Sequence, residues 1–307
     1  MISVEHVNNI YGQKYTGDNV QFIDYSIMQD YDYKKLADEA RDSNKVFLDI
    51  IDYQNVYKFI DLKFLQYFNW IISLSIILND SNFNKYYKAI VNIRSLTITM
   101  NRKIDFSFLK EFNNLKSVCL VNQNINIIKE LHSLEILRIA KNDCSKIDFS
   151  NIAKLTHLSI GSSKKLSGPE LTPLKNLKTL RIDFERSLSD LSFLSDMQEL
   201  EVITMLWVSK PVAFPDMSNC KKLKMISLDT VNRLKNFDGL QYAPNLTHIE
   251  ISQTGLKPSD IEPLKNLPNL QKIYAFVGTG KNEEIAKKMF GDRWCSRTEN
   301  WEHTLGT

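Results

Sequence analysis

The sequence predicts an α/β solenoid: short parallel strands stacked coil upon coil, each followed by a returning segment of irregular or 3₁₀ backbone. Three observations predict it. One nine-residue phrase, apolar at positions one, four and six and often polar at nine, occurs ten times between Ile71 and Gly278. Its starts, Ile71, Ile93, Leu115, Leu134, Leu155, Leu177, Leu200, Leu223, Leu246 and Leu270, are 22, 22, 19, 21, 22, 23, 23, 23 and 24 residues apart. Alternation within the phrase makes a strand whose fourth and sixth residues face a core. Between phrases a second apolar series steps by three, as in Ile125/Ile128/Leu131 and Leu234/Phe237/Leu240/Ala243, a spacing that suits 3₁₀ turns or extended backbone. Each coil buries a few Leu or Ile side chains at roughly 1.5–3 kcal/mol apiece, so stacking is what stabilises it.

Phrase and period resemble the leucine-rich repeat family. The resemblance implies a right-handed horseshoe with a parallel concave sheet of about ten strands, an irregular or 3₁₀ convex side, and a cap at each end. In that family an Asn at position nine bonds neighbouring backbone at the turn, its amide serving as donor and acceptor. Asn79, Asn101 and Asn142 match, whereas Val208 and Val231 offer no such group. The C-terminal coils are therefore expected to turn differently.

Residues 1–70 read as an N-terminal cap merging into a degenerate first repeat. A short strand is expected within Gln21 to Ser26, then a helix burying Tyr33, Leu36, Ala37 and Ala40, with Asp30 or Asp32 as N-cap. The repeat register begins near Lys45, with Leu48 and Ile50 at inward positions. Val56, Phe59, Leu62, Leu65, Phe68 and Ile71 step by three, though Val56, Phe59, Ile60, Phe64 and Tyr67 also satisfy a helix. Residues 71–278 are the ten-repeat array, near whose end Ser259 and Glu262 read as a capping box. Residues 279–307 form a helical C-terminal cap. Asn282, Glu283 and Glu284 open its helix, Ile285, Ala286, Met289 and Phe290 give the apolar face, and Gly291 ends it, with Trp294 and Trp301 completing the lid.

Composition excludes several classes. With 39 Lys and Arg against 36 Asp and Glu, the net charge is +3, far from the single-sign field that nucleic-acid binding needs. Cys119, Cys144, Cys220 and Cys295 are too dispersed for a zinc or redox motif. Met1 to Tyr11 carries no secretory pattern, and the apolar run Trp70 to Leu78 is about half of what a bilayer demands. A bacterial, cytoplasmic protein off the membrane is expected.

No motif carries catalysis: there is no phosphate-binding loop, two-His metal motif or nucleophile elbow. His6, His132, His157, His248 and His303 are scattered. His157 and His248 fall at equivalent strand positions four coils apart, about 19 Å, too far to share a metal. Cys119 reads as an inert strand residue. Some bacterial pathogens fuse such repeats to a ubiquitin-ligase domain with a nucleophilic Cys, but the 29 residues after Gly278 are too few for one. Neither enzyme activity nor a cofactor is expected.

The informative residues are those the strands turn outward, at positions three, five and seven. The first three coils present small neutral residues. From Arg138 onward the face gains His157, Arg181, Asp183, Leu206, Met225, Asp229, Glu250, Tyr274 and Phe276. Phe184 and Trp207, at position eight, either border this face or pack into the turn. Arg and aromatics amid a few charges are what interface centres favour. Ten strands give a sheet about 43 Å long, which suits one folded partner of about 100–150 residues, near 35 Å across. The chain is expected to be a monomer before that partner binds.

An array with little beyond its caps resembles internalin-type bacterial repeats, but without their secretion signal or wall anchor. It is also similar to immunity proteins that neutralise toxins delivered by rival bacteria. The resemblance implies an antitoxin that occludes a toxin's active face, with Asp183, Asp229 and Glu250 toward a basic cleft. The alternative is an intracellular scaffold or regulator that recruits a cellular protein. A concealed hydrolase rests on no motif.

Overall fold

A computed structural model describes residues 19–22, 30–52, 58–252, 255–278 and 280–295. The chain divides between Glu135 and Ile136 into two units.

In the first unit, strands β1 (Asn19–Phe22), β2 (Phe47–Ile51), β3 (Ser73–Leu78), β4 (Ser95–Met100) and β5 (Ser117–Val121) pair in parallel, in chain order. From β3 onward the strand begins at position three of the phrase, and like positions lie opposite one another. The first strand is thus Asn19–Phe22, while residues 23–26 lie outside the described residues. Helix α1 (Asp30–Asp42) buries Tyr33, Leu36, Ala37 and Ala40 as their spacing requires. Tyr33 stacks on Phe64 with 4.4 Å between ring centroids.

Leu48 and Ile50 are buried on β2. The segment that follows mixes the two spacings: a 3₁₀ turn spans Lys63–Tyr67, Leu62, Leu65, Phe68 and Ile71 are buried together with Ile60 and Phe64, and Phe59, common to both series, is exposed. Val56 lies outside the described residues. A single helical turn, α2 (Phe83–Tyr86), follows β3.

Gln123 plays at position nine the part expected there of Asn. Its amide Nε2 donates to the carbonyls of Met100 and Arg102 at 2.9 and 3.3 Å, and its Oε1 accepts from Ile104 N–H at 3.2 Å. Gln123→Ala would leave the buried Met100 carbonyl and the two part-buried groups short of partners and is expected to cost about 2 kcal/mol, measured by urea unfolding.

The second unit carries β6 (Ile136–Ala140), β7 (His157–Gly161), β8 (Thr179–Asp183), β9 (Val202–Leu206), β10 (Met225–Asp229), β11 (His248–Ser252) and β12 (Lys272–Ala275). All are parallel, paired in chain order and in a constant register. Their fourth- and sixth-position residues, from Leu137 and Ile139 to Ile273 and Ala275, form one buried seam.

The turns after β6 to β10 correct the expectation drawn from Val208 and Val231. Position eight is left-handed at Lys141, Ser162, Phe184, Trp207 and Thr230, with φ of 60°, 50°, 56°, 56° and 54°. Each of these residues donates its N–H to the position-seven carbonyl of the next coil, for example Phe184 to Leu206 at 2.7 Å and Trp207 to Asp229 at 2.9 Å. Backbone pairing therefore sets the turn, and Val208 and Val231 merely fill the core beneath it.

On the returning side, an Asp–apolar–Ser triplet opens three coils of the second unit, at Asp148, Asp190 and Asp216, as it does at Asp105 in the first. The carboxylate accepts from the Ser N–H two residues on, at 2.8–2.9 Å, an Asx turn that starts the bend. The expected Ser259–Glu262 box is replaced by Lys257 and Asp260. The Asp260 carboxylate accepts from Lys257 N–H at 2.8 Å ahead of α3 (Pro258–Ile261), while Glu262 pairs with Lys265. Pro at the first helical position favours that earlier start.

The terminal helix α4 (Lys281–Phe290) ends at Gly291, φ 56°. It buries Ala286 and Phe290 but exposes Ile285, which narrows the expected apolar face. Trp294 stacks on Phe290 with 6.0 Å between centroids, and Trp301 lies outside the described residues.

Candidate functional site

The outward residues from Arg138 to Tyr274 lie on the sheet of the second unit, in three rows fixed by its register. The fifth-position row runs Arg138, Ser159, Arg181, Thr204, Ser227, Glu250, Tyr274. The seventh runs Ala140, Gly161, Asp183, Leu206, Asp229, Ser252. Asp183 and Asp229 are thus two strands apart, about 10 Å, with Leu206 between them.

Their environments differ. Arg181 Nε donates to Asp183 Oδ2 at 2.7 Å, yet burial outweighs this pairing and raises the Asp183 carboxyl above its ordinary value. Glu250 accepts from Ser227 Oγ at 3.3 Å. Asp229 is exposed, and its carboxylate accepts from the adjacent Thr230 Oγ1 at 2.6 Å. Arg138 is half-buried, and exposed His157 shares a hydrogen bond between its Nδ1 and Thr156 Oγ1 at 2.8 Å. His248 is held below its usual pKa by burial and by Lys272.

Two members of the predicted set are hidden. Met225 is 6% and Tyr274 7% exposed. Alternation gives a side chain's direction, but the neighbours in register (Val202 and His248 for Met225, Glu250 for Tyr274) determine how much solvent it keeps. Phe276 lies just past β12 and remains exposed, its N–H bonded to Ile251 O at 2.8 Å.

Phe184 and Trp207 do not pack into the turn. They are 50% and 54% exposed and stack on each other, with 6.2 Å between centroids and 9° between planes. Just beyond them, at the carboxyl ends of β7, β8 and β9, lies a groove of about 660 Å³ lined by these rings, Lys164, Lys165, Arg186, Lys210 and a set of serines. Lys165 is paired to Asp143 at 3.1 Å. Lys164, Arg186 and Lys210 have no ion pair among the described residues. Periodicity does not single out these cations because they fall past position nine, outside the alternating phrase.

Beside the groove sits Glu185, completely buried at position nine. Its Oε1 accepts from Ser163 N–H at 2.7 Å, while Oε2 has no partner. Burial pushes this carboxyl up to about 7. The Ser187 hydroxyl is likewise buried and unpartnered.

Among the described residues, no cluster of His, Cys, Asp or Glu could hold a metal ion, and no helix is long and apolar enough to cross a membrane. The four cysteines are buried free thiols, and burial pushes Cys144 up to about 12 and Cys220 to about 11.

No protein-family profile and no curated protein matches the chain. Among solved structures, a leucine-rich repeat protein of Leptospira interrogans is similar over 78% of this chain and 75% of its own, at 15% identity and a TM-score of 0.55. An internalin of Listeria monocytogenes aligns over 73% of this chain and 80% of its own, at 17% identity and a TM-score of 0.44. With the parallel strands and their constant register, the first likeness establishes the fold, that of a leucine-rich repeat solenoid.

Proposed function

We propose that this protein is a non-enzymatic binding module that holds one folded protein partner against the outward sheet face of its second unit, inside a bacterial cell. The observation that carries this is the Phe184–Trp207 pair. Left-handed backbone at a bulky residue costs about 1–3 kcal/mol, and half-exposed rings recover little of that by burial. Kept beside Arg181, Asp183, Leu206 and Asp229, the pair has the composition of an interface centre. Buried free thiols fit a reducing compartment.

The finer reading is an antitoxin. Asp229 and Glu250, with Asp183 behind them, would meet a basic catalytic cleft and close it sterically. Asp229 is the most open of the three, since Arg181 already engages Asp183.

The test begins with a partner recovered from the native cell, then purified and titrated. Trp207→Ala and Asp229→Lys are each expected to weaken binding at least about tenfold, within the range of interface hot spots. Tyr242→Ala, exposed on a 3₁₀ turn away from the sheet, should change nothing. Unaltered affinity in both of the first two variants refutes the site. Loss of the partner's own catalytic activity on binding marks an antitoxin, whereas binding without inhibition marks a scaffold. Trp207→Asn should separate function from folding, because Asn tolerates left-handed backbone: stability unchanged or higher by about 1 kcal/mol, with binding lost.

A further inference from the structure

We infer that the groove at the carboxyl ends of β7, β8 and β9 takes a short extended segment of a protein partner bearing two or three carboxylates and one apolar or aromatic side chain. The inference rests on the reading of Phe184 and Trp207 as binding residues, and adds a second, oppositely charged site to it.

Charge complementarity is the first support. Lys164, Arg186 and Lys210 follow three successive strands and have no ion pair among the described residues, whereas Lys165 is neutralised by Asp143. The nearest acid in sequence to Arg186 is Glu185, which is completely buried and so cannot reach out to pair with it. Three successive coils span about 10 Å, the length of about three residues of extended chain. The groove's volume of about 660 Å³ is of the size that encloses small ligands.

Aromatic geometry is the second support. Phe184 and Trp207 line the groove, half-exposed and stacked on each other. The two rings offer an apolar edge beside the cations.

A single-stranded nucleic acid is the competing polyanion, and the ring spacing disfavours it. A base sandwiched between two rings needs about 7 Å, two contacts of about 3.5 Å. The planes of Phe184 and Trp207 are nearly parallel and their centroids only 6.2 Å apart. A net charge of +3 over 307 residues also supplies no long-range field for a phosphate backbone.

The experiment uses the full chain and a fluorescein-labelled peptide of alternating glutamate and aspartate around one tryptophan, read by anisotropy. The controls are the same peptide with lysine for each acid, and oligo-uridine. The acidic peptide should bind, weaken about tenfold from low to high salt, and lose at least tenfold in the double variant Lys164→Glu, Lys210→Glu. Both lysines are exposed, so folding, checked by circular dichroism, should be retained. Asp229→Lys lies off the groove and should leave peptide binding intact while weakening the folded partner, which keeps the two readings separable. No binding of the acidic peptide, binding indifferent to the lysine reversals, or tighter binding of oligo-uridine would each overturn the inference.

Discussion

Gly239→Ala is expected to destabilise the second unit by about 3 kcal/mol, at the upper end of what overpacking usually costs. A Cβ built there would lie 1.9 Å from the Pro215 carbonyl oxygen and 2.7 Å from that of Phe214. Both are backbone atoms of the preceding coil and cannot rotate away. That coil runs extended on its returning side, bridging Ala213 to Asn236, and Met217 N–H donates to Gly239 O at 3.1 Å. Relief of the clash must therefore push the neighbouring coils apart and stretch the bond that joins them. Gly161→Ala is the contrast. Its Cβ would meet Ala140 Cβ at 3.8 Å, ordinary contact on the open face of β7, so it should be neutral or stabilise by up to about 1 kcal/mol. Equilibrium urea unfolding of the two variants decides the matter. Equal midpoints would mean that the coils around Gly239 relax more freely than close packing allows.

The same contrast shows what the residues reveal on their own. Strand positions are legible because inward alternation is a short-range rule: all ten phrases carry a strand starting at position three, from Ser73 to Lys272. The turn is misread at Val208 and Val231 because the position-eight N–H pairs with the neighbouring coil whether or not a polar side chain stands at position nine. No local signal reports a hydrogen bond to a residue some twenty positions away. The Asp–apolar–Ser openings at Asp148, Asp190 and Asp216 are visible as a recurring triplet, yet lie where apolar periodicity carries no weight. Direction along the face is readable too, while exposure is not. Met225 and Asp229 leave the same strand toward the same side, and only packing against the flanking strands hides one and bares the other. The basic groove escapes for a related reason. Lys164, Arg186 and Lys210 are about twenty residues apart in sequence and become neighbours only through coil stacking.

Glu185→Gln is expected to abolish a loss of stability of about 3 kcal/mol that the native chain suffers between acid and mildly alkaline pH. Below pH 4.5 the carboxyl is protonated in both folded and unfolded chains, so it contributes no pH dependence. As pH rises through 4.5, the ordinary value, the unfolded chain releases its proton while the buried group keeps its own up to about 7. The unfolded state then binds fewer protons than the native state, so stability falls across that window and levels off above it. The gap from 4.5 to about 7 corresponds to about 3 kcal/mol. Gln cannot ionise. It keeps an acceptor for Ser163 N–H, and its amide donor stands where the protonated acid carries its O–H. Variant and native protein should therefore unfold at similar urea concentrations near pH 4.5, with the variant gaining steadily toward pH 8. Because Glu185 underlies the turn that holds Phe184 and adjoins the groove, the same ionisation should loosen the ring pair. Acidic-peptide affinity in the native chain should then decline above pH 7 more than in Glu185→Gln. Parallel stability curves for the two proteins would show that the carboxylate is already charged and solvated at neutral pH, and that the turn is more open than its packing indicates.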